Sequence, residues 1–418
     1  ERLQRPSDVD PLMLILGIAL FALCLLLSIA WHECGHMWAA QATGMKVRRY
    51  FVGFGPKIWS FRRGETEYGI KAIPLGGFCD IAGMTTYDEL APEDESRAMY
   101  RQKPWKRLVV LFAGPLQNFI LAFILIVGLA IFAGLPNLTE ALPAKIGATQ
   151  CVAPVQTYDV KGNLTSPECT GDGPAQLAGL LPGDKIVAIN GQPISNWDQV
   201  TSDLKDASGP VTISYERDGV THDTTMTPTR ADISTINENG NAEHTYKSMV
   251  GISPAAVPWK QYNVVTAFGG AAVFTGQLIG KTWDALLQMP SKVSALWHAI
   301  TGGSRGADTP TSVVGASVIG GQAADHGAWS FFVFLLASIN LFLGLFNLIP
   351  LLPLDGGHMA VVGYEKLRDR IRAMRGRAAG GPVDYMKLMP PTYAVIAVMG
   401  AYMILAVLAD IINPIKVF

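Results

Sequence analysis

Four apolar stretches divide the 418-residue chain into alternating hydrophobic and polar regions. They cover residues 12–31, 109–135, 329–354 and 393–408, and none of them contains a charged side chain. The first has 20 residues, enough for a helix to cross about 30 Å of hydrocarbon, and is too long for the apolar run of a signal peptide. The pattern therefore predicts four transmembrane helices.

A fifth apolar segment, 264–280, is weaker. It is short and rich in glycine, and Lys281 and Asp284 follow it directly. Together with 293–300 it is typical of amphipathic helices that lie on a membrane surface. We expect residues 253–327 to consist of such helices and a linker.

Two shorter regions favour β-structure. Between the first two spans, strand-like runs occur at 47–52, 58–61 and 66–73, with turns expected at Gly53–Gly55 and at 62–65. In the long polar region, runs at 185–189 and 211–215 precede Asn-Gly and Asp-Gly turns, and 195–207 has a helical pattern. The sequence predicts a β-hairpin in the first region and an α+β domain in the second.

The composition agrees with a membrane protein. Half of the residues, 49%, are hydrophobic and only 16% are charged, whereas soluble domains have about a quarter charged residues. The net charge of −1 argues against nucleic-acid binding, which needs a basic face.

Lysine and arginine predict the orientation of the spans. Residues 46–107 contain twelve of them and 357–390 contain seven, whereas the much longer segment 136–328 contains eleven. By the positive-inside rule the first two segments are cytoplasmic. The long segment and both termini are then extracytoplasmic.

The five cysteines fit this orientation. Cys24, Cys34 and Cys79 fall in membrane or cytoplasmic positions, and Cys151 and Cys169 are the two on the outside. Because oxidation is permitted there, we predict a disulfide between Cys151 and Cys169, with two free thiols as the alternative.

The end of the first span has the sequence His32-Glu33-Cys34-Gly35-His36. Residues i and i+4 share one face of a helix, so His32 and His36 could bind one cation while Glu33 contacts its bound water. Ionisable side chains within an apolar run are costly unless they are paired. We therefore expect a zinc site here rather than a structural packing role.

A catalytic zinc ion needs a third protein ligand at the same membrane depth. Asp355 lies at the cytoplasmic end of the third span and is the preferred candidate, with His358 and Asp80 as competitors. Pro350 and Pro353 should break the helix before it, which exposes backbone carbonyls and is tolerated where the chain lines a cavity.

The third span ends in Asn-x-x-Pro-x-x-Pro-Leu-Asp-Gly-Gly over 347–357. Together with the His-Glu-x-x-His motif, this resembles the site-2 protease family of intramembrane zinc metalloproteases. Three further segments are similar to the second-span motif, the cytoplasmic hairpin of bacterial members, and the PDZ domain of the regulator-of-sigma-E protease type: 114–118; 63–68 with 74–78; and 179–184 with 189–191. A single PDZ domain and an outside cysteine pair are most similar to actinobacterial members.

The resemblance implies an α-helical membrane protein of four transmembrane helices, with a membrane-dipping β-hairpin and an extracytoplasmic α+β PDZ domain. The expected divisions are 1–45, first transmembrane helix; 46–107, hairpin loop; 108–136, second helix; 145–252, PDZ domain; 253–327, amphipathic surface helices and linker; 328–357, third helix; 358–390, cytoplasmic basic segment; and 391–412, fourth helix.

It also implies one Zn²⁺ per chain, held by His32, His36 and Asp355, with Glu33 moving a proton from water to the leaving amine. Asn118 and Asn347 would hold the backbone of an unwound substrate, although hydrogen bonds between helices are an alternative role. The hairpin edge would pair with that substrate by strand addition. The PDZ domain would either bind a carboxyl terminus or act as a size filter.

The expected function is zinc-dependent cleavage of transmembrane segments in single-span proteins, such as anti-sigma factors already trimmed by another protease, in the bacterial inner membrane. The chain would contact the lipid bilayer and no nucleic acid. A metal transporter or a PDZ scaffold with a vestigial site is the rival interpretation. A transporter would place ionisable residues in several spans, and a vestigial site would have lost Glu33 or a ligand, yet none is lost.

Overall fold

The computed structural model of the chain describes residues 11–136, 141–158, 169–205, 207–236, 242–255, 259–301, 305, 309–415 and 417, without the side chains of 75, 158, 235, 236, 242 and 243. It forms two compact units. The first comprises 1–133, 262–293 and 310–418, and the second comprises 134–261 and 294–309.

The first unit is mainly helical. Its helices are α1, Pro11–Ala42; α2, Pro104–Phe132; α5, Val264–Gln288; α7, Val313–Asp325; α8, Trp329–Asn347; α9, Asp355–Met374; and α10, Met389–Ile412. Within the described part of the chain, four segments are long and apolar enough to cross a membrane: Pro11–Ala42, Pro104–Phe132, Trp329–Asn347 and Tyr385–Ile412. The predicted number of spans is confirmed.

The third span is shorter than the apolar stretch suggests. Helix α8 ends at Asn347 instead of continuing to residue 354, and residues 348–354 form turns that include a cis Leu352–Pro353 bond. The expected break at the prolines is present, since proline cannot continue a helix. Asp355 therefore begins a new helix, α9, rather than ending a span.

Helix α7 was not predicted. A linker and surface helices were expected across this region. The residues of α7 are largely buried against α1, and Gly320 and Gly321 lie against Phe21 and Ile18 of that helix. Small residues on α7 allow this close approach. They give no large apolar stripe that would reveal the helix from its sequence.

Helix α5 agrees better with expectation. It is not among the four candidate spans. Ala267, Ala271 and Phe274 are buried, whereas Val265 and Phe268 are exposed. It packs on α2 and α8.

The β-hairpin consists of β1, Val47–Arg63, and β2, Thr66–Ile81. The turn expected at Gly53–Gly55 is wrong, because β1 continues through these residues as a bent strand. Gly53 and Gly55 have φ values of 91° and 80°, which glycine adopts without strain. As a result, residues 49–52 have partners on both sides, 77–80 and 67–70, and the segment 77–81 forms an edge.

The second unit mixes short helices and sheets. A four-stranded sheet has the order β6-β5-β7-β8, and its strands are β5, Lys185–Ile189; β6, Gln192–Pro193; β7, Val211–Arg217; and β8, Val220–Met226. Strand β9, Thr229–Ile236, lies between β10, Ala242–Met249, and β4, Val155–Tyr158, and pairs with both. Strand β3, Ile146–Thr149, pairs with β11, Ile252–Pro254.

Helix α4, Trp197–Lys205, closes the core of this unit, and α3, Pro174–Leu177, and α6, Val293–Ile300, complete its helices. Asn196 caps α4 because its Oδ1 accepts the Gln199 N–H at 3.0 Å. Ile186, Ile213 and Leu180 are fully buried at the centre of the core. A disulfide joins Cys151 to Cys169, with Cα atoms 5.9 Å apart.

Candidate metal centre

Two histidines of α1 lie side by side in the interior of the first unit. His32 and His36 are separated by one helical turn, both are buried, and their Nε2 atoms lie 3.1 Å apart. A pair of imidazole nitrogens at this distance is costly unless a proton or a cation lies between them. The geometry is that of two ligands directed at a common point.

Asp355 offers a third potential ligand atom. Its Oδ2 lies 3.3 Å from the Nε2 of both His32 and His36. The two competitors lie elsewhere: Asp80 pairs with Arg48 and Arg49, and His358 lies beside Tyr385 with 3.2 Å between Nδ1 and the hydroxyl.

The second nitrogen of each histidine has a partner on α2. His36 Nδ1–H donates to the Val110 carbonyl at 2.8 Å, which leaves its Nε2 free to bind a metal. His32 Nδ1 lies 3.2 Å from the Asn118 amide nitrogen. The buried Asn118 Oδ1 has no hydrogen-bond partner among the described residues.

That orphaned oxygen indicates how the site accepts a cation. A histidine that binds metal through Nε2 carries its hydrogen on Nδ1, so its partner must be an acceptor. Rotating the Asn118 amide by 180° directs Oδ1 at His32 Nδ1–H and satisfies both groups. Two imidazoles and one carboxylate are also a typical donor set for catalytic zinc. The residues fit a zinc ion.

Gly114 keeps space open beside the ligands. A Cβ at this position would lie 2.2 Å from His36 Nε2 and 2.7 Å from His32 Nε2. Residue 114 begins the segment 114–118 that resembles the family's second-span motif, but the sequence alone gives no sign of this close approach to the histidines.

Glu33 lies on the adjacent face of α1. Its Cγ lies near Gly77, and Glu33 lines the same cavity as Cys79 of the hairpin. The edge segment 77–81 of the hairpin therefore borders the centre. The last strand-like run of the sequence ends at residue 73, so neither this edge segment nor its position beside Glu33 was predicted from the pattern.

A cavity of about 280 Å³ contains these groups. Its lining includes the three candidate ligands, Glu33, Cys79 from the hairpin, Asn118 from α2, and Asn347 from the end of α8. The structure thus brings together all of the site residues predicted in this unit. Three protein ligands would leave a fourth position for water, which is the donor arrangement typical of a catalytic metal centre.

Comparison with known proteins gives the family. The profile of peptidase family M50 matches residues 20–390. The zinc metalloprotease Rip1 of Mycolicibacterium smegmatis is 51% identical over 415 residues, covering 97% of this chain and 100% of the relative. Rip1 of Mycobacterium tuberculosis is 48% identical over 413 residues, with coverages of 97% and 100%. The regulator of sigma-E protease RseP of Salmonella typhimurium is 28% identical over 451 residues, with coverages of 89% and 93%.

The chain belongs to peptidase family M50. It is an intramembrane zinc metalloprotease, and zinc is its cofactor. The metal transporter and the vestigial scaffold are thereby set aside.

Proposed function

We propose that this protease cuts the transmembrane segments of single-span membrane proteins, with His32, His36 and Asp355 as zinc ligands and Glu33 as the general base. The observation that carries the proposal is the 3.3 Å approach of Asp355 to both histidines inside a cavity that Glu33 also lines. A bound zinc ion polarises the scissile carbonyl and lowers the pKa of its water toward about 7.

Glu33 is placed to take the proton from the water and to pass it to the leaving amine. Glu33 lines the same cavity as His32, His36 and Asp355. A peptide bond inside a helix is shielded by its own hydrogen bonds, so the substrate must be extended at this point.

Two features are suited to hold an extended substrate. The edge segment 77–81 can add a strand alongside its backbone. Asn347 lines the cavity and can bond to the substrate backbone. Exposed apolar side chains on the hairpin, including Phe54, Ile58 and Trp59, favour its insertion into the membrane.

Residues 145–252, within the second unit, serve in this proposal as an extracytoplasmic PDZ domain. Its disulfide supports a location in an oxidising compartment, and the charge distribution favours a position outside the bacterial inner membrane together with both termini. We favour a filter that admits substrates whose outside part has been removed over a domain that binds a carboxyl terminus.

The substrate class follows from the relatives. One of them is named regulator of sigma-E protease, which favours membrane-bound anti-sigma factors, trimmed first by another protease. The test is cleavage of a single-span anti-sigma factor, in full-length and pre-trimmed forms, by the purified chain in liposomes, with Glu33→Gln as the control.

The expected result is one cut, located within the transmembrane segment by mass spectrometry, in the pre-trimmed form and with the wild-type chain only. A cut outside the membrane segment, or equal cleavage by Glu33→Gln, would refute the proposed reaction. Equal cleavage of both substrate forms would refute the filter.

A further inference from the structure

A buried ion pair connects α2 to α9. Arg107 Nη1 lies 2.6 Å from Glu365 Oε2, and the two side chains are only 7% and 9% exposed. Neither residue lines the cavity of the metal centre. Losing one partner of such a pair leaves an uncompensated charge in the interior, so the contact strongly favours one alignment of the two helices.

Glu365 also holds a third segment. Its Oε1 accepts the Val383 N–H at 2.7 Å. The next residue, Asp384, accepts from the Tyr87 hydroxyl at 2.7 Å and from the Met386 N–H at 3.0 Å. Glu365 therefore joins α9 both to α2 and to the segment that leads into α10.

The same face of α2 carries the partners of the zinc-site histidines. Arg107, Val110, Gly114 and Asn118 follow one another at spacings of three or four and are all buried. Val110 and Asn118 contact His36 and His32. The position of a helix that packs on this face of α2 is therefore also its position relative to His32 and His36.

On α9, the corresponding face runs from Asp355 through Val362 to Glu365. Val362 is buried in one core cluster with Val110 of α2. The ion pair is therefore at one end of a helix contact whose other end is the carboxylate of Asp355.

The position of Asp355 is sensitive to this contact because α9 is not a continuation of α8. Residues 348–354 form turns between the two helices. A slip of one residue along α9 moves Asp355 by about 1.5 Å. That is almost half of its 3.3 Å distance to the histidines.

We infer that Arg107 and Glu365 are positioning residues that set the rotation and axial position of α9, and thereby bring Asp355 to the metal. The inference rests on the proposed ligand set. The competing explanation is that the pair only stabilises the fold.

The test measures Co²⁺ affinity, the cobalt absorption spectrum and the melting temperature of the metal-free full-length chain in detergent. Glu365→Gln removes the charge and keeps an acceptor for the Val383 N–H. Asp94→Asn is the matched control, because it breaks an ion pair with Lys46, at 2.7 Å, that involves no part of α9. Asp355→Ala is included to test the ligand set itself.

We expect Glu365→Gln to weaken Co²⁺ binding roughly 10- to 100-fold, the range found for groups that orient metal ligands, and to change the spectrum. Asp94→Asn should lower only the melting temperature. The double variant Arg107→Met/Glu365→Gln removes both charges, so its melting temperature should return toward wild type while Co²⁺ binding stays weak.

The inference is overturned if the double variant recovers Co²⁺ affinity together with its melting temperature, or if Glu365→Gln binds Co²⁺ like Asp94→Asn. If Glu365→Gln alone fails to fold, the Co²⁺ affinity and melting temperature of the double variant still distinguish the two explanations. Normal Co²⁺ binding by Asp355→Ala would instead refute the proposed ligand set.

Discussion

A residue without a side chain, Gly114, lies directly beside the candidate zinc ligands. Gly114 leaves open the space beside the Nε2 atoms of both histidines, because a Cβ there would overlap them. The spacing of His32 and His36 predicted two ligands on one helix face. It could not predict which neighbouring atoms would keep that face accessible.

Gly114→Ala should abolish zinc binding and cleavage, because its Cβ would overlap both Nε2 atoms. Alanine is a better helix former than glycine, so the loss cannot come from helix propensity. Gly128→Ala on the same helix is the control, since nothing lies within 4 Å of its added Cβ. Zinc content and cleavage are measured for both. Wild-type zinc content in Gly114→Ala would contradict the described geometry.

The two candidate roles of Asn118 predict different effects on zinc affinity and on KM. If its amide oxygen accepts from His32 Nδ1–H, Asn118→Ala should weaken zinc affinity roughly 10-fold or more. If it holds the substrate instead, KM should rise while zinc affinity stays unchanged. The structure favours the first outcome, because the amide lies 3.2 Å from His32. Chelator competition together with cleavage kinetics distinguishes them.

Among the elements, those defined by long apolar runs were predictable and those defined by packing were not. Four runs without charge gave the four spans. Helix α7 was missed because small residues carry no apolar periodicity, and the early end of α8 was hidden within an apolar run. Asp355 could be placed near the histidines by membrane depth, but its position as the first residue of α9 required the structure.

The bend of β1 gives a prediction for the hairpin. Gly53 has φ 91°, and a Cβ there would lie 2.8 Å from the Lys71 carbonyl oxygen. Gly53→Ala should therefore displace the hairpin and reduce cleavage without loss of zinc. Gly64→Asn is the control, because its φ of 62° suits asparagine and the added Cβ meets nothing within 4 Å. Unchanged cleavage in Gly53→Ala would argue against a role for the hairpin at the centre.

At the scale of the whole molecule, each of the two units is stabilised internally by a different set of interactions. The first has a polar centre among apolar helices. The second has an aliphatic core, a disulfide and an ion pair, in which Arg217 donates to Asp184 through two bonds of 2.7 Å. Burial alone would raise the pKa of Asp184, but hydrogen bonds from Arg217 and from the Leu181 N–H outweigh it and lower the pKa.

A lowered pKa in the folded state means that Asp184 stabilises the second unit above its unfolded pKa of about 3.9. This stabilisation should disappear as the pH falls below about 4. Asp184→Asn should be less stable than wild type at neutral pH, and the difference should narrow under acid conditions. Hydrogen exchange of peptides covering 181–189 in the full chain, corrected for intrinsic rates, measures it. A difference that does not change with pH would contradict the assignment.

The most direct test of the whole account measures zinc content and cleavage in the same preparations of Glu33→Ala and Asp355→Ala. The account predicts about one zinc per chain in Glu33→Ala with cleavage lower by orders of magnitude, because the base assists proton transfer without holding the metal. Asp355→Ala should lose zinc and cleavage together. If Asp355→Ala instead retains zinc and cuts normally, or Glu33→Ala cleaves at the wild-type rate, the account is contradicted.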